Sequence, residues 1–117
     1  MAKLLIILFS PGTGAQNTNT LYELSKAAVE ASHEVTVFCD ADATRNLLAK
    51  QMLPDKPTPA SRIAELIEMG IPVLACRESA RMRGIDTKRE LIHGVVESSL
   101  GRLAELMEQH DRILALG

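Results

Sequence analysis

The stretch "VLACRESARMRG", residues 73–84, places a cysteine between an apolar run and a basic segment. Residues 73–75 suit a buried strand, and the residues after Cys76 suit a short helix that ends at Gly84. A thiol at such a junction lies beside the unpaired N–H groups and partial positive charge of a helix N-terminus. Three arginines would add positive charge: Arg77, Arg81 and Arg83.

These surroundings favour the thiolate of Cys76. Cationic sites of this kind lower the pKa of a cysteine from about 8.5 to about 3.5–7.5. Ser79 could donate a hydrogen bond to the sulfur through its hydroxyl or amide, whereas the carboxylate of Glu78 opposes the thiolate. The pattern predicts a reactive Cys76, and the alternative is a small, inert core residue.

The second cysteine, Cys39, also ends a predicted strand, but the acidic Asp40 and Asp42 follow it and would raise its pKa. We therefore predict a structural role for it. If the second and third strands flank the first, the two cysteines lie two strand spacings apart, about 9–10 Å. A disulfide needs Cα atoms within about 7 Å, so both thiols are predicted to be reduced.

A glycine-containing loop, "SPGTGAQNT", occupies residues 10–18. It fails the G-x-G-x-x-G pattern at the last glycine, and no Lys-Ser/Thr pair follows it as a P-loop requires. A tight turn is the simplest interpretation, and a phosphate site is the alternative. In either case its N–H groups could hold an anionic sulfur or sulfur oxyanion near Cys76. We assign Gly12, Thr13 and Gly14 to the wall opposite the thiol.

Metal and cofactor signals are missing from the sequence. His33, His93 and His110 do not form a ligand pattern, and neither C-x-x-C nor H-E-x-x-H occurs. We predict no metal and no cofactor.

Strands and helices alternate along the chain. Strands are predicted at 4–9, 35–39, 71–75 and 112–116, whereas residues 91–96 fit a strand or a loop. Helix caps are predicted at Asn17 or Thr18, at Asp40, at Thr58, and at Ser98 or Ser99. A short helix is predicted at Arg77–Arg83, and an irregular segment at residues 49–59. This order predicts one domain, residues 1–117, with a doubly wound, mainly parallel α/β sheet of about five strands and helices on both faces. Ligands of such sheets bind at the carboxyl ends of the strands, where Cys76 lies.

Composition excludes several classes of protein. The net charge of −2 argues against a nucleic-acid binder, and three aromatic residues make a poor base-stacking platform. The apolar run at residues 4–9 is too short for a signal peptide or a membrane span. We expect a cytoplasmic protein without nucleic-acid or membrane contacts.

The chain resembles the DsrE/DsrF-like (TusD-related) sulfur-relay family over nearly its whole length. In that family the third strand ends in a cysteine within a pattern like C-x3-A-x2-R-G-[IV]. Here the pattern reads Cys76, Ala80, Arg83, Gly84 and Ile85, and the closing "HDRILALG" matches the family's Asp-Arg-hydrophobic strand.

The resemblance implies a sulfur carrier of sulfurtransferase type, in which Cys76 holds sulfane sulfur as a persulfide and passes it to a protein partner. It implies sulfur-donor and sulfur-acceptor proteins as partners, and a homotrimer or homohexamer. Arg77 and Glu78 depart from the family, whose members have small apolar residues there.

Two other functions remain open. A non-catalytic oligomeric binding module predicts a Cys76 sulfur buried away from any cleft. A flavin- or nucleotide-binding flavodoxin-like domain predicts flavin or nucleotide binding at the glycine loop, although aromatic residues to hold a flavin are few: Phe9, Tyr22 and Phe38.

Overall fold

The computed structural model describes residues 1–10 and 17–117. Within them, five strands form one sheet: β1 (Lys3–Leu8), β2 (Glu34–Cys39), β3 (Val73–Cys76), β4 (Val96–Ser98) and β5 (Arg112–Leu116). The strand order is β4-β3-β2-β1-β5, and all four neighbouring pairs are parallel. The predicted α/β fold with a parallel sheet of about five strands is therefore confirmed.

Side-chain caps mark the start of α2, of α4 and of one 3₁₀ helix. The described α-helices are α1 (Asn17–Glu30), α2 (Pro59–Glu68), α3 (Arg77–Met82) and α4 (Leu100–Gln109). Thr58 and Ser61 form a capping box at α2, and Ser99 caps α4 by accepting a hydrogen bond from the N–H of Arg102. Asp40 caps a 3₁₀ helix, Ala41–Leu47, and a second 3₁₀ helix follows at Ala49–Gln51. These predicted caps are confirmed.

The position of β2 differs from the expectation. It pairs directly with β3, and Cys39 lies opposite Ala75. The expectation that β2 and β3 flank β1 is therefore wrong. Strands β1 to β4 follow one another across the sheet in one direction, and only β5 returns to the free edge of β1.

The two faces of the sheet are covered unequally. Buried residues of α1, α2 and the first 3₁₀ helix pack on one face, called here the α1/α2 face, where the larger core lies. The opposite face, called here the α4 face, carries a smaller cluster in which Leu103 and Leu106 of α4 contact the sheet. The sheet residues of this smaller cluster are Leu5, Ile7, Phe38, Leu74 and Cys76.

The segment before β4 combines a bridge with a tight turn. Leu91 forms an isolated antiparallel bridge with Leu48, and β4 begins only at Val96, so the open region 91–96 is largely loop. Gly94 has φ +97°, and a Cβ there would lie 2.6 Å from Cγ2 of Ile67. Glycine is required at this turn because both the backbone angle and the approach to α2 exclude a side chain. Across the described residues, we find no helix with the length and apolar character needed to cross a membrane.

Candidate functional site

Cys76 ends β3 and occupies the N-cap position of α3, as the sequence predicts. Its backbone is extended (φ −67°, ψ 114°), and it pairs with Ser98 of β4. The side chain lies on the α4 face with Phe38 and Leu74, and only 1% of the residue is exposed. The thiol is at the expected edge of the sheet but is covered.

The helix after Cys76 does not hold its sulfur. No side-chain capping hydrogen bond joins the Cys76 thiol to an N–H group of α3. Moreover, α3 has only six residues, so its partial positive charge is smaller than that of a long helix.

The Ser79 hydroxyl is hydrogen-bonded to Asp40 and not to the sulfur of Cys76. Its hydroxyl donates to Oδ1 of Asp40 at 2.6 Å and accepts a hydrogen bond from the N–H of Ala41 at 3.1 Å. A hydroxyl has one proton to donate. The Ser79 hydroxyl therefore does not donate to Cys76, contrary to the prediction, and instead ties α3 to the end of β2.

Two of the three predicted arginines form ion pairs with carboxylates on other elements. Nε of Arg77 lies 3.4 Å from Oε1 of Glu97, and Nε of Arg83 lies 2.7 Å from Oδ1 of Asp42. Arg83 also donates to the Ser79 carbonyl at 3.0 Å. Arg81 is exposed and has no ion pair within residues 1–10 and 17–117.

The acidic partners stay ionised near neutral pH. A hydrogen bond from Arg83, together with its charge, lowers the pKa of Asp42. The pKa of Glu97 is also lowered, mainly by a hydrogen bond from the Thr87 hydroxyl and further by the charge of Arg77. Both guanidinium groups are thus neutralised locally.

Asp40 is the residue that sequence reasoning missed as a neighbour of the sulfur. Its backbone is extended (φ −123°, ψ 167°) and continues the path of β2 by one residue. Because Cys39 pairs with Ala75, Asp40 comes next to Cys76 across the sheet. The signal was present in the sequence, but it becomes visible only once β2 and β3 are known to be neighbours.

Cys39 has the inert character that the sequence predicts. It is fully buried on the α1/α2 face, and burial, helped by the charge of Asp40, raises the pKa of its thiol to about 12. Both cysteines are free. They sit on adjacent strands but on opposite faces of the sheet, which is why no disulfide joins them.

The remaining residues of the cysteine pattern build the turn after α3. Ala80 and Ile85 are buried together with Leu48 in a small separate cluster. Gly84 has φ +73°, a left-handed conformation that suits glycine at a helix end, and its N–H donates to the Arg81 carbonyl at 3.0 Å. The pattern thus fixes the segment that leaves Cys76.

The predicted opposite wall, Gly12, Thr13 and Gly14, lies outside the described residues. The residues that flank it are tied together at the sheet edge. Asn17 donates to the Ser10 hydroxyl at 2.9 Å, and Asn46 donates to the Ser10 carbonyl at 3.0 Å. In the part of the chain that the structure describes, no three His, Cys, Asp or Glu side chains are grouped to hold a metal ion.

Comparison with known proteins identifies the family. The sequence model of the DsrE/DsrF-like family matches residues 2–116. The chain belongs to the DsrE/DsrF-like family. A search of curated proteins found no match.

Solved structures share the fold of this DsrE/DsrF-like chain. The ychN protein from E. coli superposes with a TM-score of 0.86 at 25% identity, covering 99% of this chain and 100% of that one. A protein of unknown function from Methanobacterium thermoautotrophicum, MTH1491, gives a TM-score of 0.78 at 16% identity, with 99% and 100% coverage. The arrangement of sheet and helices in the described residues therefore matches these two structures.

Proposed function

We propose that this DsrE/DsrF-like protein is a sulfur carrier of sulfurtransferase type, with Cys76 as the nucleophile that holds sulfane sulfur. The observation that carries the proposal is a free thiol at the end of β3, within the family's cysteine pattern. Cys76 lies at the carboxyl edge, where open parallel sheets bind ligands, two strands from the point between β1 and β5 at which the strand order reverses. The donor is a protein persulfide or a small sulfane-sulfur compound, and the acceptor is another carrier protein.

The transfer needs no cofactor. The Cys76 thiolate attacks the outer sulfur of a donor R–S–SH, a new S–S bond forms at Cys76, and the donor S–S bond breaks. The donor leaves as R–S⁻ and takes up a proton from solvent, which balances the proton that Cys76 lost. Cys76 is oxidised to the persulfide and the donor is reduced to its thiol. The acceptor repeats the same exchange in the opposite direction.

The covered sulfur requires an opening step before this chemistry. Cys76 is 1% exposed, so a donor reaches it only after part of the α4 face is uncovered. In α4 only Leu106 is buried, and Leu103 is partly buried. An element with so few buried contacts opens at lower free-energy cost than the main core.

We assign the partner contacts to the sheet edge and to exposed apolar side chains. Arg81, exposed and without an ion pair in the described ranges, is available to an acidic group of a partner. Exposed apolar residues on the α4 face support assembly into a homotrimer or homohexamer, which works in the cytoplasm with its donor and acceptor proteins: Val96, Leu100, Met107 and Ile113.

Mass spectrometry after incubation with a persulfide donor tests the carrier role. We expect the peptide that contains Cys76 to gain the mass of one sulfur atom, and a Cys76→Ser variant to gain none. Cys39→Ser is the matched control and should load like the wild type, because Cys39 is buried in the main core. Loading of Cys76→Ser equal to that of the wild type, or no gain on any peptide, would contradict the proposal.

The burial of the sulfur favours a second candidate, a non-catalytic oligomeric module. In that case Cys76 is a packing residue, and Cys76→Ala should preserve the function of the assembly. Alkylation separates the two candidates: a carrier exposes Cys76 to reagents under native conditions far more often than Cys39, whereas a packing residue reacts only when the whole domain unfolds.

A further inference from the structure

We propose that Asp40 is a specificity-determining residue, whose carboxylate beside Cys76 disfavours anionic sulfur donors relative to uncharged ones. The inference deepens the proposed function and rests on it, because donor choice matters only if Cys76 accepts sulfur. The local effect of the Asp40 charge on reagents at Cys76 can be measured without any sulfur donor.

The register of the sheet places the carboxylate. Cys39 pairs with Ala75, and Cys76 pairs with Ser98. Asp40, one residue beyond the last β2–β3 pair and still extended, therefore lies next to Cys76 across the sheet. Neighbouring strands lie about 4.8 Å apart. In the register of the sheet, Cys76 thus has Asp40 next to it beyond β2 and the uncharged Ser98 opposite it on β4.

Specific contacts fix the orientation of Asp40. Its Oδ1 accepts hydrogen bonds from the Ser79 hydroxyl at 2.6 Å and from the Ala41 N–H at 2.8 Å. Ala41 adopts φ +51°, a left-handed conformation that is costly for a residue with a side chain. These contacts hold the carboxylate at the end of β2 rather than letting it swing into solvent.

Two of the three arginines that follow Cys76 are engaged by other carboxylates, and the third, Arg81, is exposed. Arg77 pairs with Glu97, which lies opposite Ala75 and therefore points to the α1/α2 face, away from the thiol. Arg83 pairs with Asp42 on the first 3₁₀ helix, whose buried residues also pack on the α1/α2 face. The charge nearest to Cys76 by sheet register is negative.

This charge acts differently on two classes of donor. An uncharged persulfide gives Cys–S⁻ + R–S–SH → Cys–S–SH + R–S⁻, so one negative charge passes through the site. Thiosulfate gives Cys–S⁻ + S–SO₃²⁻ → Cys–S–S⁻ + SO₃²⁻, which gathers two further negative charges beside Asp40. Repulsion between single charges about 4 Å apart in water amounts to roughly a fivefold effect on a rate.

Alkylation with two matched reagents tests the local charge. Iodoacetamide and iodoacetate need the same thiolate and the same opening of the site but differ in charge, so their rate ratio at Cys76 isolates local electrostatics. Asp40→Asn keeps the side-chain shape and an acceptor oxygen. We expect it to raise the iodoacetate/iodoacetamide ratio about fivefold. Asp55→Asn, the same change of charge in an exposed loop, should leave the ratio unchanged.

Salt provides a measurement that needs no variant. Added salt screens the carboxylate, so the ratio in the wild-type protein should rise with ionic strength. A ratio that falls with salt, or that is the same in Asp40→Asn and Asp55→Asn, would overturn the inference.

Sulfur loading then separates the two proposals. We expect wild-type protein to load faster from cysteine persulfide than from thiosulfate, and Asp40→Asn to narrow that gap. If neither donor loads Cys76 but Asp40→Asn still raises the iodoacetate/iodoacetamide ratio, the carrier function is excluded and the role of Asp40 stands. If Cys76 is loaded but Asp40→Asn leaves the alkylation ratio unchanged, only the role of Asp40 is excluded. If neither alkylating reagent labels Cys76, both proposals are excluded.

Discussion

At the scale of single residues, register decides which charges Cys76 meets. Nearness along the chain suggested the arginines of α3, but Arg77 and Arg83 bind carboxylates that come from β4 and the first 3₁₀ helix. Asp40, 36 residues before Cys76 in the sequence, lies next to it across the sheet. The chemistry at the strand ends therefore depends on pairing between residues that are distant in sequence.

The Asp42–Arg83 ion pair predicts a pH-dependent effect on stability. Arg83 lowers the pKa of Asp42 in the folded state. The ion pair therefore stabilises the folded protein at pH values above the ordinary pKa of a carboxyl group, and this stabilisation is lost as the pH falls through the folded-state pKa of Asp42. We expect Asp42→Asn to have a slightly lower Tm than the wild type at pH 7, since exposed ion pairs contribute little. The difference should close as the pH falls below about 3.

Thermal unfolding followed by circular dichroism over this pH range measures the effect. Asp55→Asn, an exposed carboxylate without an ion pair in the described ranges, is the matched control and should follow the wild type at every pH. A Tm difference for Asp42→Asn that persists unchanged in acid would show that the ion pair is not its cause.

At the scale of elements, α4 is held more weakly than α2. Helix α2 has a complete capping box and three buried residues: Ala60, Ile63 and Leu66. Helix α4 has a serine cap and one buried residue, Leu106, and His110 at its end lies with Nε2 3.1 Å from Oγ1 of Thr36. The face that covers Cys76 is thus the less stable side of the domain.

Truncation of Leu103 should uncover the thiol. Leu103 is the second residue of α4 that packs on the cluster containing Cys76. We expect Leu103→Ala to speed native-state alkylation of Cys76 about tenfold, because fewer apolar contacts oppose the opening of α4. Peptide mass spectrometry reports Cys76 and Cys39 separately in the same sample.

Two comparisons make this result specific. Glu108→Ala removes an exposed side chain of the same helix and should leave the Cys76 rate unchanged. Cys39 should remain protected in both variants. Equal acceleration of the two cysteines by Leu103→Ala would indicate global unfolding and would exclude a local opening of α4.

The elements themselves could largely be predicted from the sequence. Strong local signals mark the apolar run of β1, the Thr58-Pro59 start of α2 and β5 at residues 112–116. The last two are found as predicted, and β1 is found one residue earlier, at Lys3–Leu8. The adjacency of β2 and β3 carries no local signal, because alternating strands and helices allow several strand orders. The bond from Ser79 to Asp40 depends on that order, so it could not be predicted either.

At the scale of the whole molecule, the unequal covering of the sheet predicts self-association. Val96 and Ile113 pair with Leu74 and Leu5 and so lie on the α4 face, where Leu100 of α4 is also exposed. One helix does not cover this face, and exposed apolar groups of this kind mark interaction surfaces.

We expect sedimentation analysis to give a mass well above the 12.7 kDa of one chain. Leu100→Glu should shift the protein towards monomer, because a buried charge at an apolar interface is costly. Leu53→Glu, in an exposed loop next to α1 and α2, is the control and should leave the mass unchanged. A wild-type monomer at micromolar concentration would contradict the prediction.

The pairing of β1 with β5 also has a consequence for synthesis on the ribosome. β1 is the first strand to emerge, yet the strand that completes its second edge is the last. Lys3 and Asp111, which are 108 positions apart, share two hydrogen bonds at 2.7 and 2.8 Å. Until β5 is translated, an apolar strand keeps an open edge that can pair with another chain.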